Sequence, residues 1–111
     1  MSDVPALRKQ LKIKSGVVKR LFKEHALYKK EANQQQAKLD KFIAEGAEGW
    51  DINNGTRMME EANKMITDSA NRLGKATGEL QDLIGSAKEE PELAESEELL
   101  SAQKILEEAN A

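Results

Sequence analysis

Residues 4 to 42 read VPALRKQLKIKSGVVKRLFKEHALYKKEANQQQAKLDKF, and the spacing of the apolar and small residues in this stretch decides the fold. Val4, Leu7, Leu11, Val18, Leu21, His25, Tyr28, Ala32, Leu39 and Phe42 follow one another at intervals of three, four or seven. On a helix of 3.6 residues per turn these positions form one narrow stripe, as in a left-handed coiled-coil seam. Lys14 and Gln35 fall at stripe positions without breaking the period. Glycines at Gly46 and Gly49 end the stretch. The pattern then resumes from about residue 51 to 86 with Ile52, Gly55, Met59, Ala62, Ile66, Ser69, Leu73, Ala76, Leu80 and Leu83. After Lys88-Glu-Glu-Pro91, Leu99, Ala102, Leu106 and Ala109 continue it, with Leu93, Leu100 and Ile105 widening the apolar face.

Three stripes joined by short connections imply an all-α, antiparallel three-helix bundle, with helix one at about 6–45, helix two at about 51–86 and helix three at about 91–110. All 111 residues are expected to form one domain. Pro91 suits the first turn of helix three, where its missing N–H has no partner to lose. Asp51 or Asn53 is available to cap helix two. At about 1.5 Å per residue, the third helix is roughly half as long as the others. The far end of the hairpin, with Ile43, Met58 and Met65, is therefore expected to lack a third helix, and methionine there can adapt to a partner's surface.

Composition limits the function classes. The 39% apolar and 33% charged content is that of a globular chain, and four aromatic residues suit thin helical seams better than a sheet core. With no cysteine, neither disulfides nor thiolate metal sites can form. Met1 to Pro5 contains no apolar stretch resembling a signal peptide, and no apolar run approaches the roughly 20 residues of a membrane span. A cytoplasmic protein without membrane association is expected.

His25, the sole histidine, falls on the seam. A metal site requires several converging ligands, and general-base catalysis requires a substrate pocket, so His25 is better explained as a packed residue with a satisfied ring nitrogen. Glu60-Glu61 and Glu97-Glu98 are carboxylate pairs on helical surfaces, where solvated faces explain them better than acid–base work. Asn54-Gly55-Thr56 spells a glycosylation acceptor, but it fits a weakened helix start better. No catalytic residue and no cofactor are expected, so the chain is not expected to be an enzyme.

Charge is distributed unevenly. Residues 1 to 45 hold eleven Lys and Arg against five Asp and Glu, whereas residues 46 to 111 hold six against fifteen. Lys12, Lys19, Lys23 and Lys30 project opposite the seam with Lys9, and Arg20 lies beside them. Part of this basic face is balanced by the acidic helices, in pairs worth about 1 kcal/mol or less. The rest can steer an acidic partner. The acidic total, the sequence pI of about 5.3 and the lack of interleaved aromatics argue against nucleic acid.

The run Gln10-Leu-Lys-Ile-Lys-Ser-Gly-Val-Val-Lys-Arg-Leu21, followed by Lys23-Glu24 and Tyr28, resembles the opening helix of the tubulin-folding cofactor A family. Trp50-Asp51-Ile52 after an acidic glycine loop is similar to that family's aromatic-Asp-Ile turn, and Met65-Ile66-Thr67-Asp68, Arg72-Leu73 and Leu80-Gln81 follow the same pattern. Thr67 stands where many members carry proline, which leaves a kink in helix two open, and Asn53-Asn54-Gly55 replaces a stronger helix start. The resemblance implies a cytoplasmic chaperone, associated with the cytoskeleton, that binds β-tubulin monomers or folding intermediates in the pathway leading to αβ-tubulin dimers, alongside other tubulin-folding cofactors and without nucleotide or metal. The expected contacts are Lys12, Lys19, Arg20, Lys23 and Lys30 as steering cations, with Met58 and Met65 as apolar contacts. A monomer is expected, with a homodimer as the alternative. The alternative functions are a structural or adaptor coiled coil, and an amphipathic lipid binder.

Overall fold

The structure is a computed structural model that describes residues 3–111. Met1 and Ser2, the beginning of the segment considered above for a signal peptide, lie outside the described residues. The described chain is all-α: α1 spans Val4–Ala44, α2 Gly49–Lys88 and α3 Glu97–Asn110, with no strand among the described residues. Its contacts group into two compact units, one formed by the chain up to Phe22 with Arg72–Ala111, the other by Lys23–Asn71.

Unit one contains the beginning of α1, the end of α2 and all of α3. Leu11, Val18 and Leu21 of α1 pack with Leu73, Ala76, Leu80, Ile84 and Ala87 of α2 and with Leu99 and Ala102 of α3. Most of these are positions of the three stripes, but the end of the second is corrected: Ile84 and Ala87 are buried where Leu83 was expected, and Leu83 is half-buried. Each fully buried leucine removes about 1.5–3 kcal/mol worth of apolar surface from water. Two ion pairs tie the helices at the surface, Arg8–Glu98 at 2.9 Å and Lys14–Glu79 at 3.1 Å. The second gives Lys14 a role that its interruption of the apolar stripe concealed.

Helix three begins six residues later than the sequence suggested, which corrects the placement of Pro91 in its first turn. Residues 89–95 form hydrogen-bonded turns, and α3 begins after Ser96, whose Oγ accepts from the Leu99 N–H at 3.2 Å and donates to the Leu93 carbonyl at 2.9 Å. Ser96 thus satisfies an orphan amide that Pro91 could only avoid having, and Glu97 and Glu98 complement the positive end of the helix. Leu93 therefore belongs to the connection rather than to α3. It is nonetheless fully buried and plugs the core of unit one.

Unit two is a helical hairpin made by the end of α1 and the start of α2. Its helices run antiparallel: His25 meets Ser69 at one end, and Leu39 meets Gly55 at the other. Ala32, Leu39, Gly55 and Ser69 are buried, whereas Tyr28, Phe42, Ile52, Met59, Ala62 and Ile66 are half-buried. At the turn, Gly46 adopts φ 67°, a left-handed conformation that glycine reaches without side-chain conflict. The Ala47 N–H then reaches the Phe42 carbonyl at 2.9 Å, and the Gly46 N–H the Ile43 carbonyl at 3.2 Å, which closes α1 with a Schellman motif.

Helix two also begins earlier than the sequence suggested. The Glu48 carbonyl accepts from the amides of Asp51 and Ile52, so Asp51 stands in the first turn and Asn53 in the helix interior, and neither caps it. Asn53-Asn54-Gly55 lies inside α2 rather than at its start. A Cβ at Gly55 would lie 2.9 Å from Leu39 Cδ1, so this glycine serves close helix packing rather than a helix start. The helical pattern continues through Thr67 without interruption.

Candidate functional site

The residues expected to meet a partner divide between the two units. In unit one, Lys12, Lys19 and Arg20 are exposed on α1. Lys12 stands at the rim of an open groove between α1 and α3 that is lined by the small residues Ser15, Gly16 and Ser101. The Ser15 hydroxyl is buried there without a hydrogen-bond partner. Arg20 differs from the lysines because it is already engaged in an interaction within the chain. Its charge is therefore less available for steering than the sequence alone suggests.

In unit two, Lys23 and Lys30 are exposed, and neither enters an ion pair among the described residues. Leu27 lies between them on the same outward side of α1 and is 52% exposed. Sequence reasoning missed Leu27 because the seam period excludes it. The available signal was an apolar residue four positions after one lysine and three before the next, on the charged side of an amphipathic helix.

Met58 and Met65 are 39% and 38% exposed on α2 of the same unit. Met58 borders a small, partly open cavity of about 80 Å³ with Phe42, Leu39 and Lys38, so its thioether has both an intramolecular packing role and a solvent-facing side. The structure thus brings Lys23, Lys30, Met58 and Met65 into one hairpin and leaves Lys12, Lys19 and Arg20 in the other unit.

His25 is half-buried, with Nδ1 2.7 Å from Ser69 Oγ. This pairing accounts for a histidine on the seam. Of the two carboxylate pairs, Glu61 lies 3.6 Å from Lys64 and Glu98 pairs with Arg8. Among the described residues, no group of three or more His, Cys, Asp or Glu is placed to hold a metal ion, and no helix is long and apolar enough to cross a membrane. What the surface offers is the exposed Leu27 between two exposed lysines on α1, and two exposed methionines on α2, the chemistry of protein recognition.

Comparison with known proteins agrees with this chemistry. The family model described as tubulin binding cofactor A matches residues 6–106. Tubulin-specific chaperone A of Gallus gallus is 44% identical over 107 residues, covering 96% of this chain and 94% of that protein. The solved structure of human tubulin chaperone cofactor A superposes with a TM-score of 0.81 at 38% identity, over 95% of this chain and 99% of that one. The crystal structure of tubulin folding cofactor A from Arabidopsis thaliana gives a TM-score of 0.88 at 28% identity, over 95% and 96%. A match that runs through all three helices, in sequence and in fold, shows that the chain belongs to the tubulin binding cofactor A family.

Proposed function

We propose that the chain binds β-tubulin monomers, or folding intermediates of them, and holds them in the cytoplasm until other folding cofactors build the αβ-dimer. It does so by binding alone, as a monomeric single domain, without catalysis, nucleotide or metal. Membership of a tubulin-binding chaperone family supports tubulin as the cargo. The observation that carries the contact assignment is the pair Lys23 and Lys30, two exposed cations without ion pairs among the described residues, which flank the exposed Leu27. An acidic protein surface is attracted from a distance by the lysines and is desolvated at short range by Leu27 and the methionines. Lys12 and Lys19 extend the positive field, and Arg20 contributes less because it is already engaged.

The test is capture of β-tubulin by the immobilised chain over a range of salt concentrations. Charge reversal in a Lys23→Glu, Lys30→Glu variant should weaken capture about tenfold at low salt and flatten its salt dependence, with helicity unchanged by circular dichroism. Unchanged capture would remove the lysines from the contact, and capture of α-tubulin with equal affinity would remove the β-tubulin assignment. Sedimentation over a concentration range decides between monomer and homodimer.

A further inference from the structure

The turn that joins α1 to α2 has surface chemistry of the opposite sign. Trp50, the single tryptophan of the sequence, is 74% exposed, and Ile43, three residues before the left-handed Gly46, is 55% exposed. Neither belongs to a buried cluster, although tryptophan is the side chain with the most apolar surface to hide. The backbone that carries them is fixed at both ends. The Schellman bonds from Ala47 and Gly46 close α1, and the Glu48 carbonyl accepts from Asp51 and Ile52 to open α2, with Trp50 between them in the first turn. With its backbone already fixed, the indole has only its two side-chain torsions to lose when it is covered, which suits a binding anchor.

Charge indicates what covers it. Residues 45–51 read EGAEGWD, with three carboxylates and no cation. Lys41 offsets part of this charge, at 4.0 Å from Glu45. The C-terminus of α1 and the N-terminus of α2 meet at the turn, so their opposite dipoles largely cancel and the carboxylates set the sign. An exposed indole flanked by carboxylates is complementary to an arginine or lysine side chain, which can stack on the ring while pairing with Glu48 or Asp51. Ile43 provides an aliphatic contact beside it.

We infer that this turn docks a cationic, apolar segment of a second protein, a partner distinct in charge from the acidic cargo assigned to the lysine face.

Because Trp50 is the single tryptophan, its fluorescence reports directly on the turn. In the free chain, caesium should quench it more effectively than iodide. Two synthetic peptides of equal length, one of alternating arginine and leucine and one of alternating glutamate and leucine, are then titrated into the full chain. The arginine peptide should shift Trp50 emission to the blue with saturation, and the glutamate peptide should not. In a Glu48→Gln, Asp51→Asn variant the dissociation constant should rise about tenfold. Trp50→Ala, followed by anisotropy of a labelled arginine peptide, should abolish binding while leaving β-tubulin capture intact, so failure here is separate from failure of the cargo assignment.

Four results would overturn the inference: no saturable shift, an unchanged constant in the amide variant, or retained peptide binding by the folded Trp50→Ala chain. The fourth is an emission change on concentrating the chain without peptide, which would mean that a second copy covers the turn.

Discussion

The Ser69 hydroxyl stands between two partners, the Ile66 carbonyl at 3.0 Å on its own helix and His25 Nδ1 at 2.7 Å on the facing one. Removing the hydroxyl in Ser69→Ala leaves that ring nitrogen without its partner in a half-buried place and should cost about 1–2 kcal/mol, read as a lower urea midpoint. A midpoint unchanged from the parent chain would show that water replaces the hydroxyl at no cost. The sequence placed His25 and Ser69 each on its own stripe. Which stripe residue faces which depends on the relative register of two helices, and periodicity within one helix carries no information about that. Glycines give a second contrast at this scale. A Cβ at Gly74 or Gly78 meets nothing within 4 Å, so alanine at either should stabilise the chain by about 1 kcal/mol through helix propensity alone. At Gly55 the new methyl would press on Leu39 Cδ1 at 2.9 Å, and the gain should be cancelled. Equal stabilisation at Gly55 and Gly74 in thermal melts would refute the close-packing role.

At the scale of elements, α3 shows where pattern and local chemistry part company. Leu93 and Leu100 both widen the apolar side of the third segment in sequence, yet the first is fully buried in the connection and the second is 57% exposed on α3. Leu93→Ala should cost about 2–5 kcal/mol by opening a cavity in unit one, whereas Leu100→Ala should stay within about 0.5 kcal/mol. Comparable losses in denaturant titrations would contradict the late start of α3. That start was only partly legible. Pro91 and Ser96 are competing signals for a helix N-terminus, and proline needs no partner while serine must find one. Ser96 prevails because its Oγ bonds both the Leu99 amide and the Leu93 carbonyl, which holds Leu93 inward. The long stripes of α1 and α2 were readable because each repeats over many turns, so single interruptions such as Lys14 and Gln35 do not break the period. The lysines of the candidate site were readable for the same reason, since they lie opposite a well-defined seam. Leu27 and Trp50 were not singled out as contacts, because an apolar letter does not say whether its surroundings bury it; Ile43 was placed at the hairpin end without a third helix, but not among the contacts.

For the whole molecule, the two units differ in what holds them. Unit one buries Leu11, Val18, Leu80, Leu93 and Leu99 almost completely. Unit two buries only Ala32, Leu39, Gly55 and Ser69, of which leucine alone has a large apolar side chain. Since apolar burial is the main term opposing chain entropy, local opening of Lys23–Asn71 should require less free energy than opening of unit one. Segments that adapt to partners are drawn from the less stable part of a structure, and unit two also carries Lys23, Leu27, Lys30, Met58, Met65 and the Trp50 turn. Amide hydrogen exchange measured by mass spectrometry tests this directly. In the free chain, peptides from residues 23–71 should exchange faster than peptides from residues 4–22 and 72–88, although all three segments are helical. On binding β-tubulin, protection should rise most in residues 23–71, where the contact orders side chains that the fold leaves loosely packed. Uniform exchange in the free chain would show that continuity of α1 and α2 outweighs the difference in burial. Protection confined to residues 4–22 would move the cargo contact onto Lys12 and Lys19, leaving the hairpin for the second, cationic partner alone.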